Sequence, residues 1–184
     1  MPLLTHEACE LNELLMSCVN SINSMGLFLS QVKDPELKGI IQKHMAAHIQ
    51  DYNMKVEWAT KGTSTQQLQV PSMPSQTAGG TNKLPQAVTP NPDMTALDDR
   101  SVATSYLLTL KRAGRDYAWA TFECSDPQLR TFLEDAFTMC SRHAFEVAEY
   151  MVKHGWYPSE PASSTLLQKM HQTYQSVPEP VAVH

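Results

Sequence analysis

Asp34-Pro35-Glu36-Leu37-Lys38 and Asp126-Pro127-Gln128-Leu129-Arg130 are the same helix start written twice. In each, the aspartate can accept from amides that lack a partner inside the helix. The proline takes the first helical position, where no donor is needed and its fixed φ is already helical. Each start follows a long stretch with apolar residues at three- and four-residue spacing, and each leads to a glycine, Gly62 or Gly155, about 28 residues later. The matching caps, periods and lengths predict two helical hairpins related by duplication.

Working outward, Leu4, Ala8, Leu11, Leu15, Cys18, Val19, Ile22, Met25 and Leu29 place a first helix over 5–32, with Thr5 as its N-cap and Glu7 in its first turn. A second helix over 35–61 carries Leu37, Ile41, Met45 or His48, Ile49, Tyr52, Val56 and Ala59 along its apolar line. A third over 98–124 presents Val102, Tyr106, Leu107, Leu110, Ala113, Tyr117, Ala120 and Cys124. A fourth over 127–154 presents Phe132, Leu133, Ala136, Phe137, Cys140, Ala144, Val147 and Met151. The turns inside each hairpin are short, so the paired helices run antiparallel.

Between the hairpins, 63–97 is rich in Pro, Gly, Gln, Thr and Ser, with Pro71, Pro74, Gly79, Gly80, Pro85, Pro90 and Pro92. Such a stretch cannot continue a helix or build its own core. At about 3.3 Å per residue it can run the roughly 40 Å length of a bundle, which makes the second and third helices parallel neighbours. The fold expected is an all-α, ferritin-like four-helix bundle made of two antiparallel helical hairpins joined by a long crossover. Residues 1–157 form a single domain in this reading. A loosely ordered tail over 158–184 follows, in which Ser164 to Tyr174 can make two or three helical turns between Pro158, Pro161, Pro178 and Pro180.

The 14 basic and 19 acidic residues leave a net charge of -5 and no basic face for phosphate contacts, so nucleic acid is not an expected partner. The opening residues Met1 to Glu7 lack the features of a secretory leader, and no apolar run approaches the ~20 residues of a membrane span. A soluble protein is expected. Cys9, Cys18, Cys124 and Cys140 form no C-x-x-C pair and read as small buried apolar side chains. Trp58, Trp119, Tyr117, Tyr150, Trp156 and Tyr157 read as core or helix-end packing, and the methionines as fillers of irregular core gaps.

A ferritin-like bundle can hold two metal ions through inward glutamates and Glu-x-x-His pairs, and those pairs are missing. His44, His48 and Asp51 on the second helix, with His143 and Glu146 on the fourth, are the nearest substitute, together with Glu10 or Glu13 and Asp116. Against this, His44 and His48 read as partly buried or boundary residues and the carboxylates as solvated helix faces. Cys140 and His143 lie on one turn without an orienting group or oxyanion hole. No catalytic, cofactor-binding or metal-ligating residue is assigned, and no cofactor is expected.

Several stretches together resemble the spore coat protein F family of endospore-forming bacteria. They are His6-Glu7; Val32 to Lys38; Asp51-Tyr52-Asn53; Leu97 to Arg100; Leu110 to Ala113; Phe122 to Arg130; Tyr150-Met151; and His154 to Pro158. The resemblance spans both hairpins and omits crossover and tail. It implies a non-enzymatic protein made in the mother-cell cytoplasm and placed on the spore coat or surface. Its partners would be other spore coat proteins or further copies of itself. Gln66, Gln67, Gln69, Gln168, Gln172 and Gln175 with Lys83 and Lys169 would then be open to isopeptide cross-linking.

Overall fold

The computed structural model describes residues 3–76 and 86–178. They contain the helices α1 (Thr5–Gln31), α2 (Pro35–Lys61), α3 (Asp99–Glu123), α4 (Pro127–Lys153) and α5 (Ser164–Thr173), and no strand. The two Asp-Pro starts behave alike. Asp34 Oδ1 accepts from the amides of Glu36 at 2.8 Å and Leu37 at 3.0 Å, and Asp126 Oδ1 from those of Gln128 at 2.8 Å and Leu129 at 3.1 Å. Gly62 and Gly155 close α2 and α4 at φ 67 and 72, left-handed backbone that a side chain would strain. Asp34→Ala and Asp126→Ala are each expected to lower stability by about 1 kcal/mol, with asparagine restoring most of it. Denaturant midpoints at constant m-value read that difference.

The start of α1 differs from the expectation. Thr5 is the first helical residue rather than the cap, because Glu7 Oε2 takes the Leu4 amide at 2.8 Å. Its other oxygen, Oε1, accepts from the Ser125 amide and hydroxyl, both at 2.7 Å, and from the Asp126 amide at 3.3 Å. Burial pushes the Glu7 carboxyl up, yet these donors outweigh it and hold its pKa at about 2. Asp99, opening α3, does the same for the other hairpin: its Oδ1 accepts from the amides of Lys33 at 2.7 Å and Asp34 at 3.3 Å. Each hairpin thus offers a first-turn carboxylate to the turn of its partner, at equivalent positions of the repeat.

These contacts also fix direction. The end of α3 lies beside the start of α1, where His6 Nε2 meets the Glu123 carbonyl at 3.0 Å, and the start of α3 lies beside the α1–α2 turn. The crossover therefore returns along the whole bundle, and α2 and α3 are parallel as expected. They are not neighbours, however: α1 packs on α2 and α3, α4 packs on α2 and α3, and so α2 and α3 occupy opposite corners. The first part of the crossover lies over the α2–α4 seam, where Leu68 is buried and Gln50 bonds the backbone of Gln67 and Gln69. Its last part is held by Gln31, which accepts from the Leu97 amide at 2.7 Å. Gly79, Gly80, Lys83, Pro85 and Pro180 lie outside the described residues.

The apolar lines of α3 and α4 are buried as read, except for the exposed Phe137 and the half-buried Ala144. On α1 the buried stripe is Leu11, Leu14, Cys18, Ser21, Met25 and Phe28, one position away from the Leu15, Ile22 and Leu29 of the sequence reading. On α2 the reading holds at Leu37, Ile41 and His48, the second of the two residues offered at that turn, and fails elsewhere: Ile49 and Ala59 are exposed, Met45, Tyr52 and Val56 half-buried, and polar residues take the inner face. Trp58, Tyr117 and Tyr150 are core residues, but Trp119 is 66% exposed. Cys9 is exposed, unlike the other three cysteines. Among the methionines, Met25, Met54, Met139 and Met151 fill the core, while Met16, Met73, Met94 and Met170 are exposed. None of the described helices is long and apolar enough to cross a membrane.

Candidate functional site

Counting inward from Leu37 by fours and threes gives Ile41, His44, His48, Asp51, Lys55 and Trp58, and every one is buried. The side chains in the middle of this stripe are polar. They cross the waist of the bundle between two apolar clusters, one around Leu11, Trp58, Phe132 and Met139, the other around Met25, Ile41, Leu110 and Val147. Burying such groups is costly unless each finds a partner, so the partners define the site.

At one end of the waist, Asp51 Oδ2 accepts three bonds: from Lys55 Nζ at 2.6 Å, from the Tyr117 hydroxyl at 2.6 Å and from the Cys18 thiol at 3.1 Å. Lys55 Nζ also donates to the Tyr117 oxygen at 2.6 Å and sits 4.7 Å from the centre of its ring. Three helices thereby converge on one carboxylate oxygen. Burial pushes the Lys55 ammonium toward neutrality, but Asp51 and Cys18 outweigh burial and raise its pKa, which favours the charged ammonium. Burial, reinforced by Asp51, pushes the Cys18 thiol up to about 11, and Cys140 is pushed higher still by the same causes. Neither is a nucleophile at neutral pH.

At the other end, His44 Nδ1 lies 3.0 Å from the Tyr106 hydroxyl and Nε2 lies 2.9 Å from Glu146 Oε2. The tautomer that satisfies both has Tyr106 donating to Nδ1 and the Nε2 proton donating to Glu146. Glu146 also pairs with Lys43 at the surface. His143 stacks on His44 with ring centres 3.6 Å apart, and its Nδ1 faces His48 Nε2 at 3.4 Å. Burial, then the neighbouring cations and imidazoles, hold His44 at about 3 and His143 at about 2. His48 is held at about 4 by burial, with Asp51 opposing and Lys55 assisting. A groove of about 610 Å³ between α2 and α4 reaches this cluster, lined by Ile40, Lys43, His143, Glu146 and the crossover's Pro71.

The structure therefore brings together five of the residues singled out in the sequence, His44, His48, Asp51, His143 and Glu146, and corrects their description. His44, His48 and Asp51 are core residues, neither boundary nor solvated. Glu10, Glu13 and Asp116 lie apart, along an outer groove between α1 and α3. Cys140 and His143 do not pair; His143 faces His48 instead. The waist donors are engaged with one another and with Lys55, and among the described residues no three His, Cys, Asp or Glu side chains are placed to hold one ion. Lys55, Tyr106, Tyr117 and Cys18 escaped notice as polar partners. Their signal was register: position 55 falls on the stripe that starts at Leu37, whatever its charge.

The Coat F domain family model matches residues 98–160, the whole α3–α4 hairpin and the turn beyond it. That segment is thus similar to a Coat F domain. Over 155 residues it is 24% identical to the spore coat protein F-like protein YhcQ of Bacillus subtilis (strain 168), covering 83% of this chain and 71% of that protein. A crystal structure from Bacillus halodurans C-125, provisionally described as a spore coat protein, superposes with a TM-score of 0.66. It covers 89% of this chain and 97% of that one at 13% identity, which speaks to the fold alone. The resemblance read from the helix caps thus holds. The matched α3–α4 hairpin supplies Tyr117, His143 and Glu146 to the waist, and α2, outside the matched segment, supplies His44, His48, Asp51 and Lys55.

Proposed function

We propose that the chain is a structural component of the bacterial endospore coat that acts by protein–protein association. In this reading it is made in the mother-cell cytoplasm and then laid onto the coat or spore surface. The match of the α3–α4 hairpin to a Coat F domain is the observation that carries the reading. The waist is consistent with it: apart from Asp51 Oδ1, which is buried without a partner, its polar groups bond one another, its thiols are held protonated, and its effect is to fix the register of four helices. A metal oxidase or peroxide-consuming role is not retained, since the described donors do not converge.

Residues 1–157 act in this proposal as the rigid unit and 158–184 as an appended arm, with Gln66, Gln67, Gln69, Gln168, Gln172, Gln175 and Lys169 all exposed to solvent and to neighbours. A fluorescent fusion expressed in sporulating Bacillus cells tests the placement. The expected image is a shell around the forespore that persists on released spores. Fluorescence that stays diffuse in the mother cell and is absent from purified spores would remove the coat assignment.

A further inference from the structure

Every residue from Tyr157 to Pro178 is exposed, and the helix α5 within that arm buries nothing. Its apolar residues nevertheless fall on one side: Leu166, Leu167, Met170 and, past its end, Tyr174 share a face at helical spacing and are 49–73% exposed. Lys169 and His171 flank that face on its two sides, and Ser164–Thr173 contains no acidic residue. A helix of ten residues with this pattern is marginal alone in water and is stabilised by a partner surface.

The outer groove between α1 and α3, about 490 Å³, has the complementary character. Met16 on one wall and Trp119 on the other are 54% and 66% exposed. One helical turn before each stands an acid, Glu13 before Met16 and Asp116 before Trp119, and Glu10 continues the first wall. Arg112 is occupied at the floor with Asp116 and Ser17. The groove thus sets Met16 and Trp119 on facing walls in a lining whose acids, Glu10, Glu13 and Asp116, outnumber its one base, Arg112. The arm presents an apolar strip flanked by Lys169 on one side and His171 on the other, with no acid in the helix.

We infer that the α5 helix of one copy docks in the α1–α3 groove of a second copy, joining bundles arm to groove. The chain's own arm is the less favourable occupant. From the end of α4, the eight residues 156–163 reach at most about 26 Å, while Met16 lies about 22 Å down the bundle from the end of α1 and around the corner of α3. A second copy has no such tether. Because arm and groove are different surfaces, each copy can give one arm and receive another, which suits a layer more than a closed pair.

This inference deepens the coat reading and rests on it for its biological meaning, but it is tested on the purified full chain, so its failure is distinct from a failure of localisation. Sedimentation of the wild-type chain is expected to show association that grows with concentration. Leu167→Asp and Met16→Glu, each at an exposed position that leaves the bundle core intact, are expected to weaken that association about tenfold or more. Equal mixing of the two variants should restore one arm-to-groove contact per pair. A chain monomeric at every concentration overturns the inference, as does association that neither substitution weakens. If Leu167→Asp shifts Trp119 fluorescence in a strictly monomeric chain, the groove is filled by its own arm, and the second copy is excluded.

Discussion

Lys55→Met is expected to lower the free energy of unfolding by about 3–5 kcal/mol, because it leaves the Asp51 carboxylate in the core without the ammonium that compensates it. Lys55 and Asp51 are both fully buried, 2.6 Å apart, and the hydroxyl of Tyr117 is bonded to each. Asp51→Leu should act with the same sign and a similar size, since it strands the Lys55 charge instead. Combining Asp51→Leu with Lys55→Met is expected to recover much of the loss, as apolar side chains of similar volume replace a buried pair at little net cost. Denaturant unfolding of the four members of this cycle measures the coupling. Additive losses would mean that the two charges do not meet in the folded chain. A Lys55→Met protein as stable as wild type would place the ammonium in solvent.

The same pair shows where the sequence was legible and where it was not. Caps and glycine stops are local chemistry, acting within four residues, so both hairpins could be placed from Asp34-Pro35 and Asp126-Pro127 alone. The stripes of α3 and α4 were also readable, because nearly all of their inward positions are apolar. On α2 the inward positions from 44 to 55 are His, His, Asp and Lys, and a search for apolar residues slid onto the neighbouring face at Ile49, Tyr52 and Val56. What makes Lys55 burial tolerable is Asp51 on its own helix plus Tyr117 and Cys18 on two others, a coincidence created by the fold. Similarly, nothing local distinguishes Glu7 from any acid in a first turn. Its second role, holding the α3–α4 turn, exists only once the chain has brought residue 125 beside it. The corner taken by α3 was likewise undetermined, since a linker long enough to span the bundle reaches either the adjacent or the diagonal position.

Acid should undo the waist before it undoes the carboxylate caps. Burial keeps His44, His48 and His143 neutral in the fold, with pKa values near 3, 4 and 2 against 6.5 for a free imidazole. Glu146, beside His44, favours the charged ring, but the neutral tautomer already gives Glu146 a proton to accept and leaves Nδ1 to accept from Tyr106. Below pH 6.5 the unfolded chain takes up protons that the folded chain refuses, so stability is complete above that pH and falls as pH drops. Each of the three rings contributes up to about 1.4 kcal/mol per pH unit. Glu7 adds a further loss in the same direction only below its ordinary 4.5, as pH falls toward its folded value of about 2. Urea unfolding measured from about pH 7 to about pH 5 is therefore expected to show a steep decline in stability, and His143→Phe, which keeps a ring stacked on His44, should flatten that slope by about one third. A slope unchanged by His143→Phe would show that this ring accepts its proton in the folded state. In that case the waist would be a charged, hydrated layer, and the closed network drawn around Asp51 and Glu146 would have to open to admit water.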